Sequence, residues 1–149
     1  MSSRFATAVI ALALPCAALA QDAVWSPRGV YIFRTDAVRD GQPVCSELWD
    51  FGADGRMQVE SGGERLTKSF RTERDRAGTW IVTRTLTSNG RPDCTGNTTT
   101  APAREDSRLF VVPMNDGTVL TCPPPAIMPD GAPMIGSCYG RLIPGDQVG

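Results

Sequence analysis

The chain has 149 residues, with 15 basic and 16 acidic side chains and no histidine. Lacking histidine, it is closed to the usual zinc and copper sites and to every histidine-dependent catalytic triad. A balanced charge with no block of one sign lacks the electrostatic footprint of a nucleic-acid or anionic-membrane partner, so neither is expected.

Residues 1–20 have the form of a secretory signal peptide. Arg4 supplies the positive start, Ala8 to Leu14 is an uncharged apolar run, and Ala18 and Ala20 are the small residues before the cut. Cleavage after Ala20 leaves a single domain over 21–149 with flexible ends, large enough to build its own core. Cys16 follows Pro15, where a lipoprotein site requires a small flexible residue, so no lipid anchor is expected. Nothing later is apolar enough to span a bilayer as a helix. The expected location is the periplasm, with the extracellular space as the alternative. Losing Arg4 leaves 14 cations against 16 acidic groups; 13 of those cations are arginines and Lys68 is the only lysine, a bias that we read as coding preference.

In chain order, residues 21–28 form an extended lead-in anchored by Trp25 and kept from helix by Pro27. A short β-prone run at 29–34 precedes a polar connection over 35–42. The second strand, 43–51, contains Cys45-Ser46-Glu47-Leu48-Trp49-Asp50-Phe51 and ends in the turn signal Ala53-Asp54-Gly55. Clean alternation over 56–61 ends at Gly62-Gly63. A fourth strand covers 64–73, and a fifth, rich in β-branched residues, covers 79–87. Residues 91–104 are polar and threonine-rich, a long loop held by Cys94. Strands at 107–114 and 118–122 follow. Pro123-Pro124-Pro125 keeps 123–133 outside the sheet, and a last strand covers 135–143 before a tail from Pro144. The class is all-β: a single-domain, antiparallel up-and-down meander of about eight strands, as a closed barrel or strongly curved sheet.

Four cysteines remain after cleavage, an even number in an exported chain, so two disulfides are expected. The meander brings all four to one end. It favours Cys122 with Cys138, which flank one loop, and by elimination Cys45 with Cys94; four cysteines permit three pairings, and sequence alone leaves them open.

Period-2 alternation puts Cys45, Glu47, Trp49 and Phe51 on one face of the second strand. The same counting joins Lys68 to Leu66 and Phe70, and Arg84 to Trp80, Val82 and Leu86. Charges on apolar faces must pair, reach water or meet a ligand. The candidate ligand-binding set is therefore Glu47, Trp49, Lys68, Trp80 and Arg84, with Lys68 and Arg84 as charge partners of a small amphipathic or anionic molecule. The alternatives are a structural ion pair of Glu47 with Arg84 or Lys68, and tryptophans that serve as core anchors. No nucleophile elbow, phosphate-cradling glycine loop or metal-ligand spacing occurs, so neither catalysis nor a cofactor nor a metal is expected.

Leu48-Trp49-Asp50-Phe51 with Asp54-Gly55, then Pro92-Asp93-Cys94-Thr95-Gly96-Asn97, then Ser137-Cys138-Tyr139-Gly140, resemble small exported bacterial proteins with lipocalin-like barrels, over most of residues 25–143. That resemblance implies a barrel holding one small ligand without chemistry. In architecture alone the chain is also similar to exported bacterial protease or lysozyme inhibitors. This implies the second expectation: a periplasmic inhibitor or accessory factor whose loops 89–106 and 123–134 touch a protein partner.

Overall fold

The computed structural model describes residues 24–147. The expected signal peptide, with Cys16, lies outside the described residues. The barrel strands are β1 (Gly29–Thr35), β2 (Ser46–Phe51), β3 (Arg56–Ser61), β4 (Glu64–Asp75), β5 (Gly78–Ser88), β6 (Ser107–Pro113), β7 (Val119–Cys122) and β8 (Gly140–Pro144). Each pairs antiparallel with the next in sequence, and β8 returns to β1 through pairs such as Phe33↔Leu142, closing an eight-stranded barrel. No α-helix occurs among the described residues, and none of them forms a helix long and apolar enough to cross a membrane.

Alternation decides what enters the barrel. β3 runs exposed–buried in strict order, burying Met57, Val59 and Ser61 and leaving Arg56, Gln58 and Glu60 outside. The same rule delivers Phe33, Phe51, Leu66, Ile81, Val111, Val119 and Leu142 to one inner cluster. Its lower end is plugged by rings. The lead-in lays Trp25 edge-on to Tyr31 and Phe51, with centroids 6.1 and 6.2 Å away, and Phe51 meets Phe70 at 5.0 Å.

The opposite end is covered by the connection over 89–106. Pro92 O accepts from Gly63 N at 3.1 Å, Ala103 N donates to Thr85 O at 2.8 Å, and the Cys45–Cys94 disulfide ties the connection to the start of β2. Gly62 is what lets it lie so close. Its φ is +58°, and a Cβ there would sit 2.8 Å from the Asp93 carbonyl carbon and Cys94 N.

The last long connection differs in extent from the expectation. β8 begins at Gly140 rather than 135, and residues 123–139 form an arm outside the sheet, with a short ladder of Ala126–Ile127 against Pro133–Met134. The three prolines remove ladder donors, and Ile135 is left exposed. The described residues after β8 do not run as a tail: Gly145–Gln147 makes a 3-10 turn against β1. At its base the arm rests on a second apolar cluster, Trp80, Val82, Phe110 and Cys122, on the outer face of β5, β6 and β7. The Cys122–Cys138 bridge staples it there.

Both disulfides are the pairs favoured from the meander, with Cα–Cα distances of 5.5 Å for Cys45–Cys94 and 4.0 Å for Cys122–Cys138. The sequence separations are 49 and 16 residues, which on chain-entropy grounds correspond to about 4 and about 3 kcal/mol. Replacing Cys45 and Cys94 together by alanine should therefore lower the unfolding free energy in urea more than replacing Cys122 and Cys138 together. The order reverses only if the arm contributes more through packing than through its cross-link.

Candidate ligand cavity

Between the aromatic plug and the cover lies a cavity of about 330 Å³. Its apolar floor is Trp49, Met57, Val59, Leu66, Ile81 and Leu109; its upper wall carries Glu47, Glu64, Lys68 and Thr83, with Asp93 and Thr99 reaching in from the cover. The volume lies at the small end of the range for sites that hold one small molecule.

Trp49 is held in place on two sides. Its ring stacks on Phe33 at 5.7 Å, and its indole N–H donates to Glu47 Oε2 at 2.7 Å. The second Glu47 oxygen accepts from Ser61 Oγ at 3.0 Å, and Cys94 N donates in turn to Ser61 Oγ at 3.3 Å. The Glu47 carboxylate therefore stands on a hydrogen-bonded chain that begins in the cover. Glu64, only 3% exposed, accepts from Thr99 N at 2.9 Å, a second tie between wall and cover. Cys45, Glu47 and Cys94 bring their ligand atoms within 4.8 Å of one another, but the two sulfurs are joined in a disulfide and offer no thiolate to a metal.

Lys68 is different from its neighbours. Among the described residues its ammonium has no hydrogen-bond or ion-pair partner; Glu47 and Glu64 act on it only through their charge. Burial pushes the Lys68 ammonium below the usual lysine range, and the attraction of Glu47 and then Glu64 pulls it only part of the way back. An unpaired amine thus faces a partly open cavity above an apolar floor.

Of the five residues singled out from sequence, the structure brings Glu47, Trp49 and Lys68 together and excludes Trp80 and Arg84. Trp80, Val82 and Arg84 do share a face, but it is the outer one; Ile81, Thr83 and Thr85 face inward. The physical reason is that β5 is apolar on both faces in its lower half, because the arm covers its outside. Alternation of burial cannot then distinguish inside from outside, and a bulge opposite Thr67 and Lys68 resets the count. Trp80 packs against Phe110 at 5.2 Å, with the Arg108 guanidinium 4.4 Å over its ring. Arg84 Nε donates to Asp106 at 2.7 Å, and Arg71 reaches the other Asp106 oxygen at 3.0 Å. Hydrogen bonds from Arg71 and then Arg84 hold the Asp106 carboxyl below its usual range. This exposed network belongs to the outer wall and plays no part in the cavity.

Glu64, Ser61 and Thr83 were not anticipated. Glu64 was legible, since it precedes Leu66 and Lys68 on the same parity of β4. Asp93 and Thr99 were not, because they come from a loop with no periodicity. Comparison with family models, with curated proteins and with solved structures finds no match to the chain.

Two outcomes are expected. Trp80→Ala should lower stability by about 3 kcal/mol through loss of the outer cluster while leaving ligand retention unchanged. Lys68→Met should raise stability at neutral pH, because the folded barrel binds that proton less tightly than the unfolded chain. Between the lowered folded value and the ordinary 10.5 the unfolded chain holds more protons, so wild-type stability rises with pH relative to the variant. Urea titrations from pH 7 to 10.5 should show the gap between the two proteins closing; a gap that widens would contradict this account of Lys68.

Proposed function

We propose that the protein is an exported, non-catalytic binding protein that holds one small amphipathic molecule inside its barrel in a lipocalin-like manner. The observation that carries this reading is the cavity itself: a partly open space of about 330 Å³ with an apolar floor and the unpaired ammonium of Lys68 in its wall. A ligand tail would lie against Trp49, Met57, Leu66 and Leu109, and its polar end would meet Lys68 and the carboxylates. An amphipathic ligand is favoured over a purely anionic one. Arg84 lies outside, and the three carboxylates of the lining, Glu47, Glu64 and Asp93, outnumber its two cations, Lys68 and Arg108. Two disulfides accord with an oxidising compartment, for which the periplasm is our assignment.

A second reading, an inhibitor or accessory factor for a protein partner, is supported by one observation. Ile127 and Met134 are 56% and 54% exposed on the stapled arm, with Met128 and Ile135 beside them. Such a patch on a pre-stiffened loop suits protein contact, since little ordering remains to be done on binding.

Native mass spectrometry of the protein purified from its own host separates the two. The first reading expects a retained small molecule of a few hundred daltons. Thr83→Phe, which projects a ring into the cavity, should cut its occupancy at least about tenfold. A retained polypeptide that is lost on Ile127→Asp with Met134→Asp, with no small molecule present, would favour the second reading.

A further inference from the structure

We propose that Lys68 captures its ligand covalently, as a reversible imine with a small aldehyde or ketone carrying an apolar tail; this rests on the cavity being a binding site. Three independent observations converge on Lys68. It is the only lysine in a chain that otherwise meets its need for cations with 14 arginines. Guanidinium groups stay protonated and do not condense with carbonyls, so the one primary amine among the side chains stands inside the barrel. Its Nζ has no hydrogen-bond or ion-pair partner among the described residues, and it lines a cavity whose floor of Trp49, Met57, Val59, Leu66, Ile81 and Leu109 suits a hydrocarbon tail. Two carboxylates, Glu47 and Glu64, act on it across that space.

The chemistry balances without an oxidant or reductant. The neutral amine attacks the carbonyl carbon, forming the C–N bond and moving the carbonyl electron pair to oxygen. A carboxylate, Glu47 or Glu64, takes a proton from nitrogen and gives it to that oxygen, yielding a carbinolamine. A second proton, drawn from solvent and passed on by the same carboxylate, goes to the hydroxyl, and water leaves as the nitrogen lone pair forms the C=N bond. The resulting iminium has a carboxylate for its counter-charge, which replaces the ammonium that burial disfavours. Water that re-enters through the cover reverses the reaction and releases the carbonyl compound, so the event is binding rather than turnover. Without a ligand, burial that holds the ammonium below its ordinary range raises the share of nucleophilic free amine at neutral pH.

The test uses 3-phenylpropanal with sodium cyanoborohydride at pH 7, followed by peptide mass spectrometry. Besides Lys68 the chain offers only its α-amine, so an adduct is easily assigned. The expected result is one reduced adduct on Lys68, formed at least about tenfold faster than on free Nα-acetyl-lysine. Lys68→Arg should give no adduct at that position while keeping the circular-dichroism spectrum and the cooperative urea unfolding of a folded barrel. If the alcohol 3-phenylpropanol binds the wild type in equilibrium dialysis but Lys68 reacts no faster than acetyl-lysine, the imine is overturned and the cavity reading stands. If neither the alcohol nor the aldehyde is retained, the cavity reading falls and the imine with it.

Discussion

Closing eight strands into one continuous ladder leaves no free edge and commits every second side chain to an interior of limited size. Every other feature depends on that constraint. Where the inward residues are large, as at Phe51, Tyr31 and Phe70 with Trp25 laid across them, the interior is filled and the barrel is shut. Where they are Glu64, Lys68, Thr83 and Thr85, rings give way to slender or polar chains and space remains. The cavity is thus a direct product of side-chain size along β4 and β5.

The polar wall of that space is organised from above. The cover is tied to the barrel by the Cys45–Cys94 bridge, by Glu64 to Thr99 N, and by Ser61, which joins Cys94 N to Glu47. Glu47 in turn orients Trp49 through its indole N–H. Glu47 therefore has both oxygens engaged and Glu64 has one engaged, while the amine on which both act has no partner among the described residues. That asymmetry separates this site from a structural ion pair, in which donor and acceptor satisfy one another. It also leaves Lys68 as the group able to answer a ligand.

The outer face has its own logic. A sheet strand normally turns one face to the core and the other to water, yet β5 is buried on both from Thr79 to Val82 because the arm leans on its outside. Trp80 is therefore a packing residue, sandwiched by Phe110 and Arg108, and Arg84 joins an exposed network with Asp106. Exposed pairs of this kind add little stability. Their consequence is instead a negative balance within the barrel, since the arginine expected there is elsewhere.

Much of this was written locally. The strands, the turn after Phe51, the outward arm after three prolines, and the inward set Glu47, Trp49 and Lys68 follow from period-2 alternation and turn chemistry, which neighbouring residues carry by themselves. An up-and-down order then brings four cysteines to one end, so even the disulfide pairing was within reach. What the sequence by itself determined is thus the all-β class, the meander and half of the cavity wall. Tertiary structure alone decided which face of β5 is inside, because that depends on a segment more than forty residues later in the chain covering the other face. It alone also brought Asp93 and Thr99 to the cavity and withheld a partner from Lys68, for these are properties of distance between segments, which no local pattern encodes.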